Sequence, residues 1–462
     1  MSRPVARALS AFAMFRLQRL PGVTVRGLGV RDSRLLAASV RPTARRLVLG
    51  NLVIGSLVLG SLVSGVAPAS AEELPKPNAP AARTGAPGVI PPMVVTPAGS
   101  RGAGTGDTVQ PLPVIAAKSW LVLDVQSHQI VASGNPEARV EPASLTKLMT
   151  AYLSFKAIRN KTINLGDTVT VSTHAWKAEG SRMFIEPERP VTVDELIHGM
   201  IIQSGNDASI ALAERIGGSE DQFAQMMNRE AANLGMTGTH YVNATGLPDP
   251  QHYSTAHDLS RIAAAIQRDF PEYYPLYGMK QYRYNGITQP NRNRLLFTDP
   301  SVDGMKTGHT DSAGFCLVAS AKRNDRRVLS VLVGADTEAA RSTESEKLLN
   351  YAFQATDTQR VYEAGTVIRR LPVFKAHSDL IDAGFREAVW LTMPKGDFAR
   401  YKVNFRPRAP LIAPIPAGQS LGTLDVLVDG KVVSSLDVVA LADVPMGNFL
   451  QRVWGSLRLW LH

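Results

Sequence analysis

Glu141-Pro142-Ala143-Ser144-Leu145-Thr146-Lys147-Leu148-Met149-Thr150 is the stretch on which the reading of this chain turns. Leu145, Leu148, Met149, Tyr152 and Leu153 recur at the i, i+3, i+4, i+7, i+8 spacing of a helix face. Pro142 suits a first turn, where a missing N–H costs nothing. The pattern predicts a helix with Ser144 at its N-terminus and Lys147 one turn on, over the same face. A serine hydroxyl is a poor nucleophile until a base takes its proton. A lysine amine can serve if burial and neighbouring cations bring its pKa from about 10.4 towards roughly 7–8. The dipole at the helix start also favours negative charge developing at the serine. Alone, the pattern equally describes a helix start with a solvated lysine, so further residues must decide.

Two other stretches bear on it. Lys306-Thr307-Gly308 stands just before an apolar run at Phe315 and occurs once in the chain. A lysine at a strand edge can hold a carboxylate, and a glycine beside it lets a substrate backbone approach closely. S-x-N occurs twice. Ser133-Gly134-Asn135 follows a strand-like run and reads as a turn, whereas Ser204-Gly205-Asn206 interrupts a helical pattern between apolar runs.

The formal charge of +10 suggests nucleic acid or an anionic surface, but its location removes that reading. Residues 1–71 hold ten arginines, no lysine and one acid, Asp32, a net +9 that leaves +1 for the remainder. That segment reads as an export signal. Arg45-Arg46 precede Leu47 to Val66, 20 residues without a charge, and Ala69-Ser70-Ala71 is a small-residue cleavage site. The run is also about long enough to span a bilayer, so an uncleaved anchor is the alternative. Ala44 to Leu49 half-resembles a twin-arginine signal. With Cys316 as the single cysteine, neither an internal disulfide nor a cysteine metal cluster is possible. The nine histidines show no close ligand spacing, and no metal or other cofactor is expected.

Residues 72–113 are rich in Pro, Gly, Ala and Thr without periodicity and read as a linker. Strands are expected at Ser119–Asp124 and Gln129–Ala132, around a Gln126-Ser127-His128 turn. Helices follow at Val193–Ile202 and Ser219–Leu234, with another opened by a capping box at Thr255-Ala256-His257-Asp258. Strands at Phe315–Ala321 and Val328–Val333 come next, and Thr343-Glu344-Ser345-Glu346 caps a last helix through Phe353. Strands at both ends of a helical middle predict one α/β unit whose sheet joins early and late segments.

From about Val361 the texture changes to short strands, expected at Val367–Phe374, Trp390–Met393 and Tyr401–Phe405. Val426 to Val433 is a hairpin with a two-residue Asp429-Gly430 turn. This predicts a small all-β domain. In the tail, Phe449, Leu450, Val453, Trp454, Leu457, Trp460 and Leu461 share one helical face, with Arg452 and Arg458 among the residues opposite. Such a helix suits a membrane surface, and a terminal helix docked on the β-domain is the alternative.

Only Ser144…Lys147, Ser204…Asn206 and Lys306…Gly308 reproduce, in order, the S-x-x-K, S-D-N and K-T-G set of class A β-lactamases and penicillin-binding proteins. With S-G-N in the middle, residues 114–445 resemble the low-molecular-mass penicillin-binding proteins, the serine D-alanyl-D-alanine carboxypeptidases. Ala117 to Trp120, Asn291-Arg292-Asn293 and Glu344 to Leu349 add to the likeness. The resemblance implies an α/β (α+β) β-lactamase/transpeptidase-like domain at 114–358, an all-β domain at 359–444 and an amphipathic anchor helix at 445–462. It implies Ser144 as the acylated nucleophile, Lys147 as its base and Ser204 as the proton relay. Asn206 would orient the substrate amide, and Lys306 and Thr307 would bind the terminal carboxylate, with Arg341 as a helper. Gly308 would admit the substrate backbone, and the Ser144 and His309 N–H groups would form an oxyanion hole. The implied substrate is the peptidoglycan pentapeptide, with β-lactams as covalent inhibitors and the periplasmic face of the inner membrane as the location. A class A β-lactamase would need a glutamate-activated water, and no E-x-x-L-N-like segment lies between Asn206 and Lys306. An endopeptidase acting on cross-links and an inactive peptidoglycan-binding module are the remaining alternatives.

Overall fold

Residues 110–460 are described by the structure, a computed structural model. The predicted leader, and all but the end of the predicted linker, lie outside the described residues. Early and late segments do share a sheet. Strands β1 (Ser119–Asp124) and β2 (Ile130–Gly134) join β3 (Val302–Thr310), β4 (Gly314–Arg323) and β5 (Arg326–Ala335) in the order β2-β1-β5-β4-β3. All four pairings are antiparallel, with Leu121 opposite Val331 and Lys306 opposite Val318. Both faces are covered, so alternate residues enter different cores. Leu121, Leu123 and Val331 pack with the helical middle, whereas Trp120, Val122 and Leu332 pack with Leu348 and Leu349 on the other side. That double burial explains why β1 reads as a nearly continuous apolar run.

The helical middle comprises α1 (Lys147–Arg159), α2 (Val193–Ile202), α3 (Asn206–Gly217), α4 (Glu220–Asn233) and α5 (Ala256–Asp269). Helix α1 differs from the expected amphipathic stripe. Thr150, Ala151, Ser154 and Phe155 are buried with the predicted face, so α1 is the hub of the core on nearly every side. It also begins later than the periodicity suggests. Ala143–Thr146 forms a single 3₁₀ turn, with Ala143 at φ 46°, and the α-helix starts at Lys147. Ser144 therefore stands in a tight turn ahead of the helix.

Two expected caps are corrected. Helix α6 (Glu338–Ala355) starts at the Thr337 cap, whose hydroxyl accepts from Ala340 N–H at 3.0 Å, and exposed Thr343 lies inside it. Thr255 caps α5 by accepting from Asp258 N–H. The box is not closed, because the Asp258 carboxylate turns to Gly238 N–H and the Thr239 hydroxyl.

The chain then builds a sheet-rich domain. Strands β6 (Thr356–Tyr362) and β9 (Val389–Pro394) pair with one another. Strands β7 (Val367–Phe374), β8 (Leu380–Gly384), β10 (Tyr401–Pro407), β11 (Leu411–Ile412), β12 (Ser420–Val428) and β13 (Lys431–Ala440) form the sheet β10-β12-β13-β8-β7-β11. The predicted hairpin is present, with Asp429 at φ 50° and Gly430 at φ 78° as its primed turn requires. Polar contacts bind this domain to the first sheet. Asp124, buried at the end of β1, accepts from Arg326 Nε at 2.8 Å and from the Thr358 hydroxyl at 2.6 Å.

Helix α7 (Phe449–Trp460) ends the described chain. It lies on the β-domain by a narrow face. Gly455 is buried where a Cβ would come within 2.6 Å of Lys375 N, and Arg458 pairs with Asp379 at 3.0 Å. The other face is bare: Phe449, Leu450, Val453, Trp454, Leu457 and Trp460 are all exposed, the two tryptophans at 60 and 81 %. Docking and a free apolar face, alternatives from the sequence, coexist here. Leu461 lies outside the described residues. Among the described residues no helix is long and apolar enough to cross a membrane.

Candidate active site

The three motifs meet at one edge of the first sheet. The 3₁₀ turn with Ser144 faces edge strand β3, where a Cβ on Gly308 would lie 3.2 Å from Ser144 N. Ser204 ends the loop after α2 at φ 63°, and Asn206 opens α3. Strand β3 carries Lys306 and Thr307, both buried, and exposed His309, whose ring lies 4.0 Å from that of Phe315.

Lys147 is 1 % exposed, and its amine has three partners. Nζ lies 2.9 Å from Ser144 Oγ, 2.6 Å from Asn206 Oδ1 and 2.7 Å from the Thr245 carbonyl. Burial, with Arg292 adding to it against the pull of Asp207 and Glu220, lowers its pKa to about 7. Lys306 Nζ donates to Ser204 Oγ at 2.9 Å and to the Thr307 carbonyl at 2.8 Å. Burial first, then Lys147, Arg292 and Arg341, push Lys306 well below the usual lysine range. Several cations thus converge where no described carboxylate bonds either amine, an arrangement that favours an incoming anion.

Arg341 is the predicted residue that stays apart. It is buried on α6 under the Phe315 ring and donates to the Arg292 carbonyl and to Glu338, with its Nε left unpartnered. Asn206 is spent at both ends, since Nδ2 donates to the Glu179 carbonyl at 2.6 Å. Cys316 is buried, and burial raises its thiol to about 11, so it is unreactive as expected.

Three contributors escape sequence reasoning. Thr245 acts through a backbone carbonyl, which no side-chain motif signals. Asp207, next to the S-G-N letters, is 1 % exposed and accepts from the N–H groups of Met183, Phe184, Ile185 and Ala208. It thereby locks the 181–185 loop to the start of α3, and an acid in a helix's first turn was its visible sign. His252 lies beneath the Ser144 turn. Val242 N–H donates to its Nδ1, which leaves Nε2–H to donate to Thr146 Oγ1 at 2.8 Å. Burial lowers this histidine to about 4, so it stays neutral.

The fold and the order of the three motifs are those of penicillin-binding proteins. The profile of the D-alanyl-D-alanine carboxypeptidase family matches residues 106–337, and that of the penicillin-binding protein 5 C-terminal domain matches 357–446. The chain is 38% identical over 358 residues to the D-alanyl-D-alanine carboxypeptidase DacC of Escherichia coli, covering 76% of this chain and 90% of that protein. It is 36% identical over 359 residues to DacA of the same species, covering 76% and 89%. Penicillin binding protein 5 of Haemophilus influenzae superposes with a TM-score of 0.69 at 38% identity, over 72% of this chain and 99% of that one. The chain belongs to the D-alanyl-D-alanine carboxypeptidase family.

The Asp207 clamp yields a direct test. In Asp207→Asn, whichever way the amide turns, its NH₂ faces N–H donors. The substitution should cost the full-length protein about 3 kcal/mol, as expected for losing charge-assisted bonds at a buried site. Denaturant unfolding measures this, and a change below about 0.5 kcal/mol would contradict the clamp.

Proposed function

We propose that this chain is an exported serine carboxypeptidase that removes the terminal D-alanine from peptidoglycan pentapeptides through an acyl-enzyme on Ser144. The observation that carries the reading is the environment of Lys147 Nζ. A neutral amine has two N–H bonds and one lone pair. Asn206 Oδ1 and the Thr245 carbonyl, at 2.6 and 2.7 Å, take both N–H bonds. The lone pair is left for the Ser144 O–H, 2.9 Å away. With a pKa of about 7, a large share of Lys147 is neutral at physiological pH.

In this reading Lys147 takes the Ser144 proton as Oγ attacks the carbonyl of the penultimate D-alanine. The Ser144 and His309 N–H groups hold the resulting oxyanion, a contribution worth roughly 3–4 kcal/mol for each donor. Ser204, bonded to Lys306, returns a proton to the leaving D-alanine nitrogen. Water then hydrolyses the ester. Lys306 and Thr307 receive the terminal carboxylate, whose charge restores the ammonium that burial opposes. Arg341 bonds to neither motif amine and adds to the positive field at Lys306 from behind Phe315 on α6. Asn206 borders the substrate amide while holding Lys147. Gly308 keeps the approach to Ser144 N free of a side chain.

We also infer a division into a signal peptide at 1–71, a linker at 72–113, a catalytic domain at 114–358, a β-domain at 359–444 and an anchor helix at 445–462. The bare apolar face of α7 supports a peripheral position on the periplasmic surface of the inner membrane. β-Lactams, which imitate the D-alanyl-D-alanine end, would acylate the same serine. The relative named penicillin binding protein 5 supports this.

Two experiments test the reading. Mass spectrometry after penicillin treatment should find one adduct, mapped to Ser144 and lost in a folded Ser144→Ala variant. An adduct elsewhere, or one that survives the substitution, removes Ser144 as nucleophile. Deleting residues 446–462 should release the mature protein from anionic lipid vesicles while hydrolysis of a soluble D-alanyl-D-alanine peptide persists. Each inserted apolar side chain contributes roughly 1.5–3 kcal/mol, so the Trp454→Asp, Leu457→Asp double variant should behave like the deletion. A truncated protein still bound to vesicles would overturn α7 as the anchor.

A further inference from the structure

Glu220 has no part in the chemistry above, yet its charge acts on Lys147. It opens α4, and only 14 % of its side chain is exposed. One carboxylate oxygen accepts from Ala244 N–H at 2.9 Å. The other lies 3.7 Å from Nε2 of His174, an exposed histidine that also meets Glu214 at 3.4 Å.

Ala244 is held on both sides of its Cα. Its N–H meets Glu220, and its carbonyl accepts from the buried Thr150 hydroxyl of α1 at 2.7 Å. The next carbonyl along the chain, that of Thr245, takes a Lys147 N–H at 2.7 Å. Asn243 Oδ1 holds the rest of the loop, accepting from the N–H groups of Thr245 and Gly246 at 3.1 and 2.7 Å. Gly246, at φ 83°, packs on the Ser144 turn so closely that a Cβ there would overlap the Ala143 carbonyl oxygen. A shift at Ala244 therefore passes straight to the Thr245 oxygen.

We propose that Glu220 is a positioning residue for acylation, its carboxylate fixing through Ala244 the carbonyl that orients Lys147 and lending negative charge from behind that amine. This role rests on the proposed reading of Lys147 as the base. The charges around the amine are finely opposed. Burial and Arg292 disfavour its ammonium, and Lys306 is a further cation close by. Asp207 and Glu220 favour the ammonium, while His252 stays neutral. Without Glu220 the balance tips further from the ammonium and leaves a weaker proton acceptor. The two acids differ in what their charge costs to remove. Asp207 is committed to four N–H groups, whereas Glu220 meets one, which a glutamine oxygen can still accept.

Two substitutions in the full-length protein separate the bond from the charge, read by the second-order rate of Ser144 acylation by penicillin against pH. Glu220→Gln keeps an oxygen for Ala244 N–H and loses the charge. Its midpoint should move to lower pH, so that at about pH 6 its rate relative to its own plateau is about twice that of the unsubstituted protein. The plateau itself should fall by no more than about twofold. Glu220→Asp keeps the charge on a side chain too short for Ala244. Its midpoint should stay in place while its plateau drops about tenfold, because the Thr245 carbonyl is no longer fixed. A carboxylate that only supported the fold would lower both variants at every pH and move neither midpoint. An unmoved or raised midpoint in Glu220→Gln overturns the proposal, as does a Glu220→Asp plateau within about twofold of the unsubstituted one. The unsubstituted protein separates the two readings. If it shows no midpoint near 7, Lys147 falls as the base and Glu220 with it; a midpoint near 7 that Glu220→Gln leaves in place removes Glu220 alone.

Discussion

The site depends on one buried amine. Lys147 enters a closed core with only 1 % of its surface exposed, and burying an ammonium without a counter-ion is costly. No carboxylate among the described residues bonds to it; its partners are a hydroxyl, an amide oxygen and a backbone carbonyl. Burial relieves the cost by lowering the pKa to about 7, where a large share of the amine is neutral, and in the proposed reading that neutral share is the base. In this account the same burial makes Ser144 reactive and keeps the pocket receptive to an anionic substrate end.

The scaffold exists to hold that amine and its partners together. Asn206 comes from the start of α3, Thr245 from the loop between α4 and α5, and Ser144 from the turn before α1. Each is secured from behind. Asp207 clamps the loop that faces Asn206, and neutral His252 supports Thr146 beneath the Ser144 turn. Strand β3 completes the ring from the sheet edge, with no further strand beyond it among the described residues. Asp124 ties the far end of the sheet to the β-domain, and the β-domain carries α7 by its Gly455 face. A path of packed elements thus runs from the Ser144 turn to the bare apolar surface.

Much of this was legible because the chemistry uses side chains at fixed spacing. Ser144, Lys147, Ser204 and Lys306 could be paired by motif order, and the structure brings Ser144 to Lys147 and Ser204 to Lys306 within 3 Å. The strands of the first sheet and the Asp429-Gly430 hairpin followed from apolar runs and turn chemistry. What escaped had no period to betray it. Helix α3 was absent from the sequence reading because its Ala-rich, wholly buried first turns lack an amphipathic stripe. Thr343 was mistaken for a cap because a Ser/Thr followed by Glu is common inside exposed helices, while Thr337 is followed by no large apolar side chain from Glu338 to Glu344. The Thr245 carbonyl was invisible for a stronger reason. Any residue there offers the same atom, so only the path of the chain makes it a ligand for Lys147.

The account turns on Lys147 being the base, and its protonation can be read from rates. The second-order rate of Ser144 acylation by penicillin should be followed from about pH 5 to about pH 10 in the unsubstituted protein. Because the folded-state pKa is depressed, the neutral base is scarce below it and complete above it. The rate should therefore climb with pH through a midpoint near 7 and then level off. A rate that is flat across the range, or that rises only where an ordinary lysine titrates, would contradict the claim that burial has made Lys147 the base.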